Sequence, residues 1–560
     1  MKDRHIDQFT EEIPLSDLEA SKTPLNQKKI LSFDDMLPHS GDFGCYQWLL
    51  LFSLIPYTFT YGVLYFAQLF ITLTPPEHWC HIEELEGLTM EEKINNKHIP
   101  ASPEYPFYDT CHRWNNSWAN ESDNLIDCST WDYNLTMIPY VSLASELDWV
   151  CDRSYYVSAA QSIFFAGSIV GGFVFGWLAD HRGRIPALVI CNGIALLATI
   201  ATSHADAFWN FALIRFFAGL AFDNCINIPL IIVMEYMAVD KRSLVVNGSF
   251  GLFFAIATTI LPWAAYYIAD WRIFSYVTAI PLLSAIITPW ILPESARWYL
   301  SSGMTDKVVE KLKRIAKFNK KNPNPAIYDT FVRDLKANAD RQQSATLLAL
   351  RKTPRLAKHM LIVTAYWSLT ALAFDGHVYS LKLLQSSVFV SFTLSSATEF
   401  PAGLVLTMTL DRCGRRCSAI VPSILTALCS ILLLFITTGV GALILAVTAR
   451  FMLNMAANVA LQFAAELLPT PVRAQGVSFI HIFGIIAHCV APYIIELAKV
   501  WEKLPMITLA IVSILATILV LFLPETSGED LPQTLQEGEN FGKGQKMWSM
   551  PCCGKKANRS

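Results

Sequence analysis

Three carboxylates that interrupt long apolar stretches are the first candidates for chemistry. Asp223, Asp375 and Glu399 each lie near the middle of a run of mostly apolar residues. An ionisable group costs several kcal/mol when such a run crosses a bilayer, so each acid is expected to face a polar cavity. A carboxylate in a partly dehydrated cavity attracts a cation more strongly than it does in bulk water. The pattern therefore favours a binding site for a positively charged small molecule.

Aromatic and amide side chains accompany these acids. Trp367 and Phe374 lie seven residues apart on one face of a predicted helix, and Asp375 flanks that face. Asn227 follows Asp223 by one helical turn. A cation gains about 0.5 to 2 kcal/mol from each aromatic face that it contacts, which suits an ammonium ligand. The same aromatic spacing also fits ordinary helix packing.

Other titratable groups near these positions leave alternatives open. Asp223 is either a charged ligand or a neutral carboxyl that is hydrogen-bonded to one of the two asparagines near it. Arg215 lies toward the end of its apolar stretch, and no central Lys or Arg is evident opposite the acids. His481 and His488 are seven residues apart, so they are either packing histidines or groups that couple transport to protons.

The elements that position these residues are predicted to be membrane helices. The 560 residues are 53% hydrophobic and 16% charged, whereas a soluble chain carries about a quarter charged residues. A membrane helix needs about 20 mostly apolar residues. Twelve such stretches are expected, near residues 48–73, 155–179, 186–203, 208–234, 247–269, 273–292, 358–380, 386–409, 418–438, 441–465, 475–498 and 503–523.

An internal repeat indicates how the helices are arranged. Eight charged residues, the landmark charges, recur in pairs at an offset of 231 residues: Asp180 and Asp411, Arg184 and Arg415, Glu235 and Glu466, Arg242 and Arg473. Leu-Pro-Glu-Ser at 292–295 and Leu-Pro-Glu-Thr at 523–526 share that offset. A duplicated unit of six helices explains the repeat. The predicted fold is an all-α membrane protein with twelve helices in two pseudo-symmetric bundles, as in major facilitator transporters.

The landmark charges are predicted to lie at the cytosolic helix ends and to act in gating. We expect their acids and arginines to form an ion-pair network that joins the two halves and opens during alternating access. The alternative is a signal for membrane orientation alone, although orientation would not need the repeated acids.

Hydrophilic segments divide the chain into five regions. These are a cytosolic N-terminus (1–47), a first bundle (48–292) with an extracellular loop (74–153), cytosolic linker helices (293–357), a second bundle (358–523) and a cytosolic tail (524–560). Residues 1–47 show no early apolar core, so no cleavable signal is expected. Lys and Arg in the short connections place both termini in the cytosol, and the expected location is the plasma membrane.

The loop 74–153 has the composition of an oxidised, extracellular segment. It holds Cys80, Cys111, Cys128 and Cys151, and glycosylation sequons at Asn115, Asn120 and Asn134. Clustered cysteines and sequons together predict two disulfides and attached glycans. Four cysteines allow three pairings, and free thiols with unused sequons are the alternative.

Several motifs resemble one transporter branch. They are Phe-Asp-Asp-Met-Leu and Gly-Asp-Phe-Gly-Cys-Tyr-Gln (33–47), Pro-Glu-His-Trp-Cys (76–80), Trp-Val-Cys-Asp (149–152), Pro-Glu-Ser-Ala-Arg-Trp (293–298), Ala-Glu-Leu-Leu-Pro-Thr-Pro-Val-Arg (465–473) and Leu-Pro-Glu-Thr (523–526). In these segments the chain is similar to the organic cation, carnitine and organic anion transporters of the major facilitator superfamily, notably invertebrate organic cation and carcinine-type members. The resemblance implies disulfides between Cys80 and Cys128 and between Cys111 and Cys151.

The resemblance also bears on the cavity. Trp367 and Phe374 match aromatic positions of the substrate cavity in this family, and Glu399 matches a recurring acid of the eighth helix. Ile485 stands where cation carriers often have Asp and anion or carnitine carriers often have Arg. That usual indicator of substrate charge is therefore silent in this chain.

Together these observations predict a transporter of small organic cations or amine-bearing solutes that works by alternating access, most simply as a uniport. The alternatives are a zwitterion carrier of the carnitine or beta-amino acid type, an organic anion carrier, and a transport-inactive receptor or scaffold. No nucleotide loop, metal-ligand cluster or catalytic constellation is evident, so neither an enzyme nor a cofactor is expected. The expected partners are a small organic solute and the lipid bilayer, without nucleic acid, and the chain is expected to be monomeric.

Overall fold

A computed structural model describes residues 33–41, 43–83, 92, 99–100, 102, 108–114, 125–238, 241–338, 346–384 and 386–545. Long helices dominate it, and two small antiparallel β-ribbons lie between the third helix and the fifth.

The first half is built from helices α1 to α12. Their bounds are α1 Phe33–Ser40, α2 Cys45–Phe52, α3 Ile55–Ile71, α4 Leu143–Glu146, α5 Tyr155–Arg182, α6 Arg184–Thr202, α7 Phe208–Gly219, α8 Asn224–Glu235, α9 Arg242–Val246, α10 Ala255–Ile268, α11 Trp271–Thr278 and α12 Ser284–Ile291. A π-helical segment, Asn247–Phe254, joins α9 to α10. Short 3-10 helices at Cys151–Arg153 and Pro281–Leu283 precede α5 and α12.

The linker and the second half follow. The linker contains α13 Ala296–Ser301, α14 Thr305–Phe318, α15 Pro325–Asn338 and a 3-10 helix, Leu347–Lys352. The second half contains α16 Pro354–Ser380, α17 Val388–Ala397, α18 Glu399–Cys413, α19 Arg415–Leu432, α20 Gly439–Leu467, α21 Thr470–Val490, α22 Leu504–Leu521 and α23 Leu535–Asn540. Two more 3-10 helices, Leu381–Leu383 and Ala491–Lys499, follow α16 and α21.

Among the described residues, eleven helical stretches are long and apolar enough to cross a membrane. The twelfth long helix is α16, whose 27 residues include the buried polar residues His359, Asp375 and His377. These side chains make α16 less apolar than the other spans. Twelve long helical segments in two sets of six confirm the predicted fold class.

Glycines allow α5 and α7 to approach backbone to backbone. A Cβ at Gly167 would overlap the Phe216 carbonyl, and one at Gly219 would overlap the Phe164 carbonyl. Small residues at such contacts are typical of membrane helix pairs. This close approach brings Ser168 of α5 next to Asp223, the residue that precedes α8.

The loop between α3 and α5 is held by two disulfides and two ribbons. The bonds join Cys80 to Cys128 and Cys111 to Cys151, which confirms the expected pairing. Strands β1 (His78–Cys80) and β4 (Trp131–Tyr133) pair, as do β2 (His112–Trp114) and β3 (Leu125–Asp127). The Asn134 amide donates to Glu77 at 2.6 Å. Asn115 and Asn120 lie outside the described residues, so glycosylation stays a prediction.

The linker packs beneath the first half through α14. Its apolar residues Val308, Leu312 and Ile315 are buried on one face. Asn319, which follows α14, donates to the Ser40 carbonyl and accepts from the Tyr46 N–H, both at 3.0 Å. These bonds fix the linker against the start of the first membrane helix.

Candidate transport site and gates

We call the end of the bundle that carries the landmark charges the charged face, and the end from which the disulfide-bonded loop extends the loop face. At the charged face, the first half contains a cluster built on Glu235 and Glu294. Arg184 forms an ion pair with Glu235, and Ser295 donates to Glu235 at 2.6 Å. Glu294 accepts the backbone N–H groups of Arg184 and Ile185 at 2.9 and 3.1 Å. A carboxylate at the start of α6 satisfies N–H groups that lack helical partners.

The second half repeats this cluster at the offset of 231 residues. Arg415 pairs with Glu466 at 3.1 Å, and Thr526 donates to Glu466 at 2.5 Å. Glu525 accepts the first two backbone N–H groups of α19 at 2.8 and 3.0 Å. Asp411 adds a contact to Arg415 at 3.0 Å. The sequence repeat therefore reproduces one hydrogen-bond pattern twice.

Two glycines create the turns that both clusters need. Gly183 has φ of 102° between α5 and α6, and Gly414 has φ of 80° between α18 and α19. Residues with a Cβ rarely adopt this backbone region. A Cβ at Gly183 would also approach the Glu294 carboxylate within 2.6 Å. Each glycine thus lets a carboxylate reach the start of the next helix.

Among the described residues, the landmark charges make no hydrogen bond or ion pair between the two halves in this conformation. Their other contacts include those from Arg242 to Asp34 at 2.6 Å, from Arg473 to the Leu468 carbonyl at 2.8 Å, and from the Trp298 indole to the Asp180 carbonyl at 2.9 Å. All of these bonds stay within one half or reach the segments beside it. In this conformation Glu235 and Glu466 are bound by arginines of their own halves. The network across the halves stays a prediction for the conformation that is open at the loop face.

Several of the contacts that join the halves lie toward the loop face. Ser158 of α5 donates to Glu496 at 2.9 Å, and Ser162 of α5 donates to the Cys489 carbonyl of α21 at 2.5 Å. Both are hydrogen bonds from neutral hydroxyl groups. They hold α5 of the first half against the end of α21 in the second half.

Aromatic rings seal the same face. Phe389 of α17 packs on Phe70, Tyr140 and Tyr266 of the first half, with ring centroids 5.9, 6.5 and 5.2 Å apart. The larger hydrophobic cluster of the molecule runs from the first half into α16, α17 and α21 through these contacts. The structure is therefore closed at the loop face.

Asp375 belongs to this closed layer. Tyr65 of α3 donates to one carboxylate oxygen at 2.5 Å, and Nδ1 of His488 lies 2.7 Å from the other. The Asp375 side chain is only 1% exposed. Both oxygens have protein partners in this conformation, and the role of Asp375 as a ligand for a cationic substrate stays a prediction. His488 acts as its partner, a role that the sequence left open.

Glu399 also has a partner that the sequence reading missed. Arg450 of α20 pairs with Glu399 at 3.0 Å and lies 3.4 Å above the Phe374 ring. The expectation that no central base opposes the acids is wrong. Arg450 interrupts an apolar stretch as the acids do, so the same rule would have found it. Phe374 and Glu399 therefore contact a protein cation in this conformation.

Arg215 is likewise engaged. Its guanidinium donates to Gln68 at 2.8 Å and to the Leu64 carbonyl at 3.3 Å, and it lies 4.5 Å from the Phe164 ring centre. Its contacts are with α3 and α5 of its own half. Arg215 is therefore held within its own half through Nε and one terminal nitrogen.

Asp223 differs from the other two acids. Ser168 donates to one of its oxygens at 3.2 Å, and Nε2 of His481 lies 3.3 Å from the other. Asp223 belongs to the first half and His481 to the second. The His481 side chain is 36% exposed, and its Nε2 makes no hydrogen bond of ordinary geometry with the described residues. Of the three acids, Asp223 has the most loosely held partner.

Trp367 lies beside the contact between Asp223 and His481. Two other predicted site residues, Asn227 and Ile485, are not part of that contact. The ring of Trp367 stacks 6.4 Å from His481 and packs against Gly484. Asn227 is half-buried and forms no side-chain hydrogen bond with the described residues. Ile485 is 4% exposed and belongs to the hydrophobic core. In this conformation it packs between helices, and its assignment as a cavity residue stays a prediction.

Comparisons with known proteins agree with this architecture. The family described as sugar (and other) transporter matches residues 113–536. The chain belongs to this family. The chain is 29% identical to the carcinine transporter of Drosophila melanogaster over 99% of its own length and 85% of that protein. It is 30% identical to organic cation transporter 1 of Caenorhabditis elegans over 91% of its length and 89% of that protein.

A further relative and one solved structure are also similar to the chain. The beta-alanine transporter of Drosophila melanogaster is 27% identical over 91% of this chain and 89% of that protein. The inward-open structure of the xylose transporter from E. coli superposes with a TM-score of 0.59 at 14% identity, over 87% of this chain and 99% of the other. That likeness shows the fold. The chain is therefore a multi-pass membrane transporter of the major facilitator fold, which works by alternating access.

Proposed function

We propose that this transporter carries small organic cations or amine-bearing solutes across the plasma membrane, with Asp223 as the residue that binds the cation. The proposal rests on the position and the contacts of the Asp223 carboxylate. Its carboxylate lies where the halves meet, and its histidine partner lacks hydrogen-bond geometry. An ammonium group can replace that contact and gain from the nearby Trp367 ring.

The buried arginines argue against an anionic substrate. Arg450 is paired with Glu399, and Arg215 donates to Gln68 and a backbone carbonyl. A substrate carboxylate would compete with these acceptors for the two guanidinium groups. The named relatives include carriers of carcinine, organic cations and beta-alanine, and all three names are consistent with an amine as the shared feature.

The orientation and the regions of the chain are part of the proposal. We infer that the charged face is cytosolic and the loop face extracellular, with both termini in the cytosol and the loop 74–153 outside. Clustered Lys and Arg in the short connections support this orientation. The landmark charges would then hold the helices of each half together while the halves move, and the chain would act as a monomer.

Uptake assays test this function. Proteoliposomes with purified protein would be offered a radiolabelled quaternary ammonium, with size-matched cations, beta-amino acids and aromatic carboxylates as competitors. We expect cations to compete best, and Asp223→Asn to weaken cation affinity at least about tenfold, equivalent to about 1.4 kcal/mol. The matched control is Asp206→Asn, an exposed acid before α7, which should behave as wild type. Best competition by carboxylates would contradict the proposal, and no uptake at all would favour a receptor.

A further inference from the structure

We propose that His481 carries a proton in exchange for the cationic substrate at Asp223, so that the protein is an antiporter of protons and organic cations. This inference rests on the proposed function, because it assumes that an ammonium group binds Asp223. It replaces the uniport that the sequence favoured.

The geometry of the Asp223 site supports competition between the two cations. One carboxylate oxygen accepts from Ser168, and the other faces only Nε2 of His481 among the described contacts, at 3.3 Å. A protonated imidazole and a substrate ammonium would therefore compete for the same oxygen. Because His481 and Asp223 belong to different halves, occupancy of this contact is linked to the relative position of the halves.

His488 provides the contrast that singles out His481. It lies 2.7 Å from Asp375 with hydrogen-bond geometry, is 14% exposed, and stacks on Phe165 with centroids 5.3 Å apart. Asp375 also accepts from Tyr65. His488 is thus held on both sides, whereas His481 has one loose contact at a buried Nε2, and the rest of its side chain is partly exposed.

The groups around His481 come from several helices. The segment before α8 presents Asp223, α5 presents Ser168, and α16 presents the Trp367 ring. On α21 itself, His488 lies two turns away and interacts electrostatically with Asp223. Tyr61 of α3 also interacts electrostatically with Asp223. Asp223 is thus the charged group in contact with His481.

The exchange balances in atoms and charge. When the ammonium binds Asp223, the N–H bond at Nε2 of the imidazolium breaks and the proton passes to water. When the ammonium leaves, the imidazole takes a proton from water and again faces the carboxylate. One proton moves against one monovalent cation, so the cycle carries no net charge. An imidazole suits this role because it titrates near physiological pH.

Proteoliposomes with tetraethylammonium test this exchange directly. This probe has no dissociable proton, so a proton flux cannot travel on the substrate itself. We expect an acidic lumen to stimulate uptake of tetraethylammonium, to a limit of about tenfold accumulation per pH unit. We also expect uptake to make the lumen more alkaline, as reported by a trapped pH dye. An imposed membrane potential should have little effect.

Two substitutions distinguish the role of His481 in the exchange from that of another histidine. His481→Gln should lose the stimulation by the pH gradient, whereas His204→Gln, an exposed histidine after α6, should keep it. Wild-type uptake that follows the membrane potential and ignores the pH gradient would overturn the exchange while leaving the proposed function intact. Because this measurement uses wild-type protein, it tests the exchange even if the variant does not fold. Absence of any cation uptake would instead overturn the proposed function.

Discussion

The loop face and the charged face are held together in opposite ways. At the loop face, neutral hydroxyl groups and aromatic rings connect the two halves, as in the bond from Ser162 to the Cys489 carbonyl. At the charged face, ion pairs such as those of Arg184 and Arg415 stay within one half. A hydrogen bond contributes about 0.5 to 1.5 kcal/mol net, or about 1.5 to 3 kcal/mol when its acceptor is charged, whereas breaking a buried ion pair costs about 3 to 5 kcal/mol. The weaker contacts therefore lie where the halves must separate.

The largest effect is expected from breaking a charged cluster. Glu466→Ala would leave Arg415 without its main partner and remove the acceptor for Thr526. We expect destabilisation of about 3 kcal/mol or more, measured as thermal unfolding of purified protein and as surface expression. The control is Asp411→Asn, whose side chain is 84% exposed and should contribute less than about 1 kcal/mol. If Glu466→Ala and Asp411→Asn were equally destabilising, Glu466 would not be the main partner of Arg415.

A smaller effect is expected from weakening the loop face. Tyr65→Phe removes the bond to Asp375 that crosses the halves. A hydrogen bond to a charged group is worth about 1.5 to 3 kcal/mol, so the population with an open loop face should rise about tenfold or more. Labelling of a cysteine placed at Ser162 by a membrane-impermeant reagent measures this population.

The control for that experiment lies in the same helix. Tyr57 is hydrogen-bonded to Thr288 within the first half at 2.8 Å. Tyr57→Phe should leave the labelling rate unchanged, because its bond does not cross the halves. If both variants increased labelling equally, the effect would be a general loosening of α3.

The smallest effect concerns the loop itself. Glu146 forms two bonds to Arg272, at 2.5 and 2.6 Å, and these lower the pKa of Glu146 below its ordinary value of 4.5. The pair therefore stabilises the fold above that value, and its contribution is lost as the pH falls below it. Glu146→Gln should reduce stability at pH 7 by no more than about 1 kcal/mol. Thermal unfolding of the variant and wild type should converge at acidic pH. A difference that persists there would assign the effect to packing.

The fold could be predicted from the sequence because the patterns that indicate it are either local or repeated. Apolar stretches predict the helices, and the offset between Arg184 and Arg415 predicts two equivalent halves. The structure adds that Glu294 and Glu525 accept the first N–H groups of α6 and α19. Their role at helix starts was not evident, because each acid follows the first residue of its helix by 110 residues.

The partners of the buried acids could not be read from the sequence in the same way. Tyr65 meets Asp375 across 310 residues, and only the packing of α3 on α16 brings them together. Arg450 interrupts an apolar stretch as Glu399 does, so its need for a buried partner could be predicted from the sequence. A buried charge therefore predicts that a partner exists, while the fold decides which residue it is.

Separation of the halves at the loop face is the movement on which the account depends. Ser162→Cys would place a second thiol beside native Cys489, which is free and half-buried. Treatment with a short, cleavable thiol crosslinker should reduce organic cation uptake at least tenfold, and cleavage should restore it. Ser162→Cys with Cys489→Ala should be insensitive to the reagent. Crosslinked protein that transports at the wild-type rate would contradict the account.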